Sequence, residues 1–208
     1  MPYSIRPMEG MDIDQVSAIE REAFSTLWPP TSYRRELKNK QAEYAVCVSD
    51  GEFVAARPER SKRGLLGLFR RRKKQTEPEF VRRQLVVGFV GVWFMAGECH
   101  IVAIAVREQY RRKGLGELLL IGAIEMAMRR GQQVMTLEAR VSNESAKALY
   151  TKYGFHEMGV RRRYYSDNNE DAVIMTTSSL KSAEYQELFD NLRSLFEERY
   201  GEALREYM

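Results

Sequence analysis

One stretch of this sequence constrains the fold more than any other: an apolar segment, a basic loop containing glycine, and an amphipathic helix. The apolar segment is Ile101–Val106, the loop spans residues 107–115, and the helix is predicted over Gly116–Arg129. A strand over Val134–Glu138 and a helix over Ser142–Tyr153 are predicted next. Strands and helices that alternate around a fully apolar strand are typical of an α/β fold with a central sheet.

The rest of the chain extends this α/β pattern at both ends. Tandem proline at Pro29-Pro30 ends the first helix because proline lacks a backbone donor, and Thr31 is the predicted cap of the second. Strands are predicted over residues 3–6, 43–49, 85–94, 155–163 and 172–177, and helices over residues 11–24, 31–37 and 183–208.

The two strands before the apolar segment are predicted to form a hairpin with an unusual connection. The first strand is expected to end at Asp50-Gly51, and the second begins at residue 85. Hairpin loops normally have two to five residues, so residues 52–83 are predicted to be an insertion. We therefore expect a domain over residues 1–180 that carries this insertion.

A C-terminal amphipathic helical extension is predicted over residues 181–208. Its apolar side chains recur every three or four residues, from Tyr185 to Tyr200. Packing onto the domain, dimerisation and contact with a partner are three alternatives for such a face. The sequence leaves the oligomeric state open.

The net charge of +4 is a local feature of the insertion and not of the whole surface. Residues 57–74 hold nine Lys or Arg and one Glu, with a short apolar block between two basic clusters. A mobile solvated loop is one interpretation, and contact with the ribosome, with RNA or with an anionic membrane is the other.

The sequence contains neither a metal-binding pattern nor a membrane-spanning segment. The cysteines Cys47 and Cys99 and the histidines His100 and His156 do not have the spacing of a zinc site, and both cysteines are expected to be buried apolar side chains. No apolar run reaches the roughly 18 residues of a membrane span, and the N-terminus lacks a secretory signal. We therefore expect no metal and a cytoplasmic protein.

The basic loop predicts an anion-binding site. Backbone N–H groups at a helix N-terminus attract phosphate, glycines permit close approach, and Arg111, Arg112 and Lys113 add charge. The segment Ile104–Gly116 resembles the acetyl-CoA motif of GNAT acetyltransferases, in which the loop binds the pyrophosphate. The resemblance implies that acetyl-CoA contacts Ile104, Ala105, Val106, Arg111, Arg112, Lys113, Gly114, Leu115 and Gly116, the first three through backbone groups that pair with the pantetheine arm.

A second motif makes the resemblance more specific. The segment Leu137–Phe155 reads Leu-Glu-x-Arg-x-Ser-Asn, then Tyr, then Gly-Phe. It resembles the ribosomal-protein-alanine N-acetyltransferase (RimI) family and related N-terminal acetyltransferases. The similarity covers residues 3–50 and 84–177, and it implies the GNAT acyl-CoA N-acyltransferase fold, a central mixed, mostly antiparallel sheet flanked by helices.

The same resemblance assigns roles to three polar residues. Glu138 is the implied general base, and burial at the end of its strand is expected to raise its pKa. Tyr150 is the implied general acid and a cofactor contact, although core packing suits its ring equally. Asn143 is an implied cofactor contact, and capping of the following helix is the alternative. For Glu138 the alternative is a solvated carboxylate.

An α-amine accepts an acetyl group more easily than a lysine side chain does. With a pKa near 8, about one α-amine in ten is neutral at pH 7, against fewer than about one lysine in a thousand. By resemblance, Trp28, Tyr33, Tyr164 and Tyr165 line the entrance for a protein or peptide N-terminus, although ordinary aromatic packing would also account for them. Lysine or small-amine acetylation and a non-catalytic acetyl-CoA-binding module remain alternatives.

Overall fold

A computed structural model describes residues 1–24, 30–56 and 81–206. The five α-helices described are α1 Ile13–Ala23, α2 Tyr33–Glu36, α3 Leu115–Arg129, α4 Glu144–Lys152 and α5 Ala183–Tyr200. The seven strands are β1 Tyr3–Pro7, β2 Ala42–Ala56, β3 Val81–Met95, β4 Glu98–Val106, β5 Val134–Arg140, β6 Phe155–Tyr165 and β7 Glu170–Thr177. None of the helices in these ranges is both long and apolar enough to cross a membrane.

All seven strands join one sheet in the order β1-β2-β3-β4-β5-β7-β6. Strands β4 and β5 are parallel, because α3 connects them as a crossover, and the other neighbours are antiparallel. The sheet is therefore mixed and mostly antiparallel, as the sequence predicted.

The predicted β2–β3 hairpin forms, but its strands are longer than expected. Strand β2 does not end at Asp50-Gly51; its register slips there, and pairing resumes from Phe53↔Gln84 to Ala56↔Val81. Backbone pairing thus overrides the local turn signal, and part of the predicted insertion is strand. The basic segment 57–74, with the ribosome, RNA and membrane contacts predicted for it, lies outside the described residues.

Apolar side chains of the central strands alternate between two cores, one on each face of the sheet. On β2, Val46 points to the side covered by α1, and Cys47 points to the side covered by α3. Both Cys47 and Cys99 are buried, and burial raises the pKa of each thiol to about 12. The two cysteines therefore behave as the small apolar core residues that the sequence predicted.

Helix α5 packs onto the α3 side of the sheet. It buries Tyr185, Phe189 and Phe196 in the core there, which matches the packing alternative for this segment. The helix ends at Tyr200, earlier than predicted, and the chain then runs beside β1. The backbone N–H of Ile5 donates to the carbonyl of Leu204 at 2.8 Å, which anchors this C-terminal stretch.

The start of α2 differs from the prediction that Thr31 caps it. Ser32 occupies the cap position, and its side chain makes no capping bond. The Thr31 hydroxyl instead donates to the buried carboxylate of Glu20 on α1. Thr31 therefore ties α2 to α1.

Candidate active site

The site lies where β4 and β5 separate. The two strands pair from Glu98↔Val134 to Ile101↔Leu137, and within the described ranges no register pair extends further. The β3–β4 register slips at this point, between Gly91 and Val92. Such a bulge bends a strand, which accounts for the divergence of β4 from β5.

A cavity of about 480 Å³ opens at this separation. Its walls come from α1, α2, β2, β3, β4, β5, α4 and the end of β6. Its polar and aromatic lining includes Glu20, Glu36, Tyr44, Trp93, His100, Glu138, Arg140, Asn143, Tyr150, Tyr164, Tyr165 and Asp167. Glu138, Tyr150, Asn143, Tyr164 and Tyr165 were all predicted from the sequence.

Glu138 is held between two basic side chains. His100 Nε2 lies 3.1 Å from Glu138 Oε2, and Arg161 Nη1 lies 3.0 Å from Glu138 Oε1. The Glu138 side chain is only 7% exposed, so it is not the solvated carboxylate of the alternative interpretation.

The expected rise in the pKa of Glu138 is wrong in direction. Burial does raise the pKa, but the hydrogen bond from His100 outweighs it, and the charges of His100 and Arg161 add to that effect. The net result is a pKa below the ordinary value for glutamate. The carboxylate therefore stays ionised at neutral pH.

His100 is the main residue that sequence reasoning missed, because it was considered only as a metal ligand. It pairs with Thr136 across β4 and β5, and Glu138 follows two positions later on the same face of β5. The available signal was a histidine directly before the apolar segment Ile101–Val106, together with a glutamate on the next strand. This signal indicates a His–Glu pair only when β4 and β5 are known to be neighbours in the sheet.

Tyr150 of α4 lies in the cavity wall with its residue surface 7% exposed. Its ring packs at 5.8 Å from that of Phe155. Burial raises the pKa of the hydroxyl above its ordinary value, and the nearby Tyr165 adds to this. The hydroxyl therefore keeps its proton at neutral pH, while the ring serves the packing.

Tyr164 and Tyr165 form the cavity wall at the end of β6. Their rings meet edge to face at 5.2 Å, and the Arg140 guanidinium lies 3.9 Å from the Tyr165 ring centre. Arg140 in turn bonds Asp167 at 2.8 Å and Glu170 at 3.0 Å. This network fixes the β6–β7 turn beside the cavity, and Arg140 is a second residue that the sequence reasoning did not single out.

Of the other two aromatic residues predicted at the entrance, Tyr33 lies in the core and Trp28 is outside the described residues. Tyr33 is 2% exposed and packs edge to face against Tyr44 and Phe89, at 5.6 and 6.0 Å. Packing is thus the role that its surroundings give it. Trp28 lies outside the described residues. On this side of the cavity, Glu36 accepts a 2.8 Å hydrogen bond from Trp93 Nε1.

The basic loop leads directly into α3. Arg111, Arg112 and Lys113 are exposed, and Gly114 takes the N-cap position with a left-handed φ of 80°. The first N–H groups of a helix have no partner within it, so they are available to an anion at this end. Arg111 Nε donates to the carbonyl of Val106 at 3.2 Å, which joins the loop to the end of β4.

The Tyr200 ring at the end of α5 lies against this loop. A Cβ on Gly114 would come within 2.9 Å of Tyr200 Cζ, so glycine is required here for contact as well as for conformation. The Tyr200 ring also packs on Phe196 at 5.0 Å. The C-terminal helix therefore supports the loop from behind.

Asn143 caps α4, as the alternative interpretation proposed. Its Oδ1 accepts from the backbone N–H of Ala146 at 3.2 Å, and the side chain also borders the cavity. Capping and contact with a bound molecule are compatible, because the amide nitrogen is a separate group.

Known proteins are similar to this chain in sequence. Residues 57–155 match the model of the acetyltransferase (GNAT) family. A provisionally named ribosomal protein bS18-alanine N-acetyltransferase of Bacillus subtilis (strain 168) is 32% identical over 83% of this chain and 93% of its own length. An N-alpha-acetyltransferase of Sulfurisphaera tokodaii is 36% identical over 83% of this chain and 91% of its own length.

This chain belongs to the GNAT family. The crystal structure of the Escherichia coli ribosomal-protein-S18-alanine N-acetyltransferase has a similar fold, with a TM-score of 0.62 at 25% identity over 87% of this chain and 96% of that one. As a GNAT acetyltransferase, the protein uses acetyl-CoA as its acyl donor.

The described residues fit acetyl-CoA. The exposed basic loop and the α3 N-terminus suit a pyrophosphate, and the edge of β4 that faces away from β3 offers backbone groups to an amide-containing arm. Ile104 lines the cavity, while the Ala105 side chain is buried in the core on the α1 side. The backbone of Ile104–Val106 is therefore the part of this segment that is suited to binding.

Proposed function

We propose that this GNAT enzyme acetylates the N-terminal α-amine of a protein by direct attack in a ternary complex. The observation that carries the proposal is the ionised Glu138, paired with His100 inside the cavity. It gives the site a proton acceptor where an amine would react. The names of two relatives, an N-alpha-acetyltransferase and a ribosomal protein bS18-alanine N-acetyltransferase, support an α-amine.

Bound acetyl-CoA supplies the acetyl group as a thioester. Glu138 acts as the general base together with His100, and the pair takes the proton that the amine loses as its nitrogen bonds to the acetyl carbon. Tyr150 acts as the general acid and donates its hydroxyl proton to the sulfur as the carbon–sulfur bond breaks. A carboxylate of low pKa suffices as a base, because about one α-amine in ten is already neutral at pH 7.

The remaining groups bind and orient. Arg111, Arg112, Lys113 and the α3 N-terminus hold the pyrophosphate, and the wall formed by Tyr164 and Tyr165 orients the peptide. His100, with a smaller contribution from Arg161, keeps the pKa of Glu138 low and its carboxylate ionised. Asn143 borders the cavity and is proposed to contact the cofactor. Because both reactants are fixed beside the same carboxylate, their orientation contributes to the rate as well.

A peptide panel tests the proposal. Acetyl-CoA turnover is measured on peptides that begin with alanine, serine or methionine, on an N-blocked peptide with one internal lysine, and on a polyamine. We expect turnover on one or more free N-termini and little on the N-blocked peptide. Turnover confined to lysine or the polyamine would overturn the α-amine assignment, and no turnover with tight acetyl-CoA binding would favour a non-catalytic module.

Two variants test the residue roles. Glu138→Gln and Tyr150→Phe should each lower kcat by about tenfold or more, because each removes one proton-transfer group. Acetyl-CoA affinity measured by calorimetry should change little. Full kcat in both variants would rule out this assignment of base and acid.

A further inference from the structure

Strand β2 carries a bulge that reaches the segment before the basic loop. The pairing of β2 with β3 is interrupted at residues 49–52, which have only Leu85 of β3 opposite them. Asp50 fixes this β2 bulge against β1, because its N–H donates to the Pro2 carbonyl at 3.1 Å and its Oδ1 accepts from the Ser4 hydroxyl at 2.8 Å. Bulges of this kind redirect a side chain away from its place in the regular ladder.

Glu52, the last residue of the β2 bulge, is bonded to the turn that leads into the basic loop. The Tyr110 hydroxyl donates to Glu52 Oε2 at 2.7 Å. Tyr110 is the last residue of the short helical turn Glu108–Tyr110, and Arg111 follows it directly. This hydrogen bond, together with burial, raises the pKa of Tyr110 to about 12, so the hydroxyl keeps the proton that it donates. The bond therefore ties β2 to the start of the loop.

The Tyr110 ring lies between this hydrogen bond and the loop. The residue is 7% exposed, and it belongs to the same buried cluster as Leu115, the first residue of α3. Lys113 Nζ lies 4.7 Å from the ring centre, which is a cation–π contact. Tyr3 packs against the ring edge to face at 6.4 Å. One cation of the loop thus rests on a ring whose position depends on Glu52.

The backbone of the loop needs support from its surroundings. Arg112 has a φ of 64°, in the left-handed region that residues with a Cβ rarely adopt, and Gly114 follows with a φ of 80°. Such a conformation persists only where the neighbouring structure holds it. The Tyr200 ring lies against Gly114 at the end of the loop, and the Tyr110–Glu52 bond holds its start.

We infer that Glu52 and Tyr110 are positioning residues for acetyl-CoA, because their hydrogen bond holds the basic loop in the shape that presents its N–H groups and cations to the pyrophosphate. Neither residue has to touch the cofactor for this. The inference rests on the proposed placement of the pyrophosphate at this loop, and it does not depend on the acetyl acceptor. The start of the predicted insertion, at residue 52, is thereby linked to the cofactor loop.

The charge of Glu52 makes the sign of the effect informative. An acidic side chain near the basic loop opposes an anionic ligand, so on charge alone the loss of Glu52 should tighten the binding of acetyl-CoA. Loss of the hydrogen bond should instead loosen the loop and weaken binding. Glu52→Gln separates the two effects, because glutamine carries no charge but keeps an oxygen that can accept from Tyr110.

Calorimetric titration with acetyl-CoA measures these effects. Tyr110→Phe and Glu52→Ala should each raise the Kd by about five- to tenfold, because a hydrogen bond to a charged group is one of the stronger ones in proteins. The double variant should bind no more weakly than either single variant, since both changes remove the same bond. Glu52→Gln should bind within about twofold of the parent, or more tightly.

Tyr185→Phe is the matched control for a general loss of stability. It also removes a buried tyrosine hydrogen bond, in which the Tyr185 hydroxyl donates to the Tyr153 carbonyl at 3.1 Å after the end of α4. This variant should have a lower melting temperature and an unchanged Kd for acetyl-CoA. In Tyr110→Phe the KM for acetyl-CoA should rise while kcat at saturating acetyl-CoA stays within about twofold of the parent.

Hydrogen exchange reports on the loop without any ligand. The Arg111 N–H donates to the Glu108 carbonyl at 3.1 Å, and the Leu118 N–H donates to the Gly114 carbonyl at 2.9 Å, so these two groups bracket the loop. Both should exchange faster in Glu52→Ala than in the parent, because local opening of the segment becomes easier. Tyr185→Phe should leave both rates unchanged.

Arg112→Gln, which removes an exposed charge from the loop, distinguishes the ways in which the inference could fail. Weaker binding to Arg112→Gln with parent affinity in Tyr110→Phe overturns the positioning role alone. Parent affinity in both variants overturns the placement of the pyrophosphate and the inference with it. Tighter binding to Glu52→Ala, or additive losses in the double variant, also contradicts the inference. An enzyme that is inactive on α-amines refutes the proposed acceptor and leaves these affinities, and the positioning role, standing.

Discussion

The contact between Gly114 and Tyr200 predicts a specific energetic coupling between the cofactor loop and the C-terminal helix. Gly114→Ala forces a residue with a Cβ into a φ of 80°, which costs about 1–2 kcal/mol. The new Cβ also lies 2.9 Å from Tyr200 Cζ, and overpacking of this kind costs about 1–3 kcal/mol. Gly114→Ala should therefore lower the free energy of unfolding by about 2–5 kcal/mol.

The two contributions separate in a double-mutant cycle. In a Tyr200→Ala background the steric part disappears and the conformational part remains, so Gly114→Ala should cost only about 1–2 kcal/mol there. Urea unfolding of the four proteins without ligand gives these values. Gly116→Ala is the matched control, because a Cβ at Gly116 meets nothing within 4 Å, and alanine in a helix should be neutral or stabilising.

The affinity for acetyl-CoA can be measured on the same four proteins as a functional readout. Calorimetry should show weaker binding to Gly114→Ala, because a displaced loop presents its N–H groups less well. Equal destabilisation of Gly114→Ala in both backgrounds would refute the reasoning, since the Tyr200 contact would then contribute nothing to the loop.

Two further predictions concern charge. Arg161→Gln removes a cation 3.0 Å from Glu138, so the pKa of Glu138 should rise and the acid limb of the kcat/KM profile should move to higher pH; Arg162→Gln, an exposed neighbour, is the control. Hydrogen bonds from Ser142, with help from Arg140, hold the pKa of Glu170 down to about 2. The folded-state pKa is depressed, so this stability is present above the unfolded value near 4.3 and is lost as the pH falls toward 2. Melting temperatures should therefore fall less steeply in Glu170→Gln over that range, and parallel curves would contradict the assignment.

The segment from β4 to α4 could be predicted almost completely because its local signals agree. The apolar strand, the basic loop and the amphipathic helix were placed within a few residues of β4 and α3, and the Ser-Asn before α4 indicated both a cap and a cavity residue. The two motifs that support the family resemblance lie in this same segment. Glu138 and Tyr150 are accordingly in one cavity, as expected.

The parts that could not be predicted depend on residues distant in sequence. The pKa of Glu138 has the opposite sign to that expected, because His100 and Arg161 come from strands on either side of β5. Strand β2 continues beyond Asp50-Gly51, because pairing with β3 outweighs the local turn preference. Tyr33 was assigned to the entrance from its segment alone, whereas its burial against Phe89 depends on how α2 lies on the sheet.

The separation of β4 from β5 has a consequence for the stability of the folded protein. A molecule that pairs with the free edge of β4 binds the folded chain and has no such edge to bind in the unfolded chain. Acetyl-CoA at a hundred times its dissociation constant adds about 2.7 kcal/mol to the free energy of unfolding. Bound acetyl-CoA therefore stabilises the folded chain against unfolding, and a protease should cleave the protein more slowly when acetyl-CoA is present.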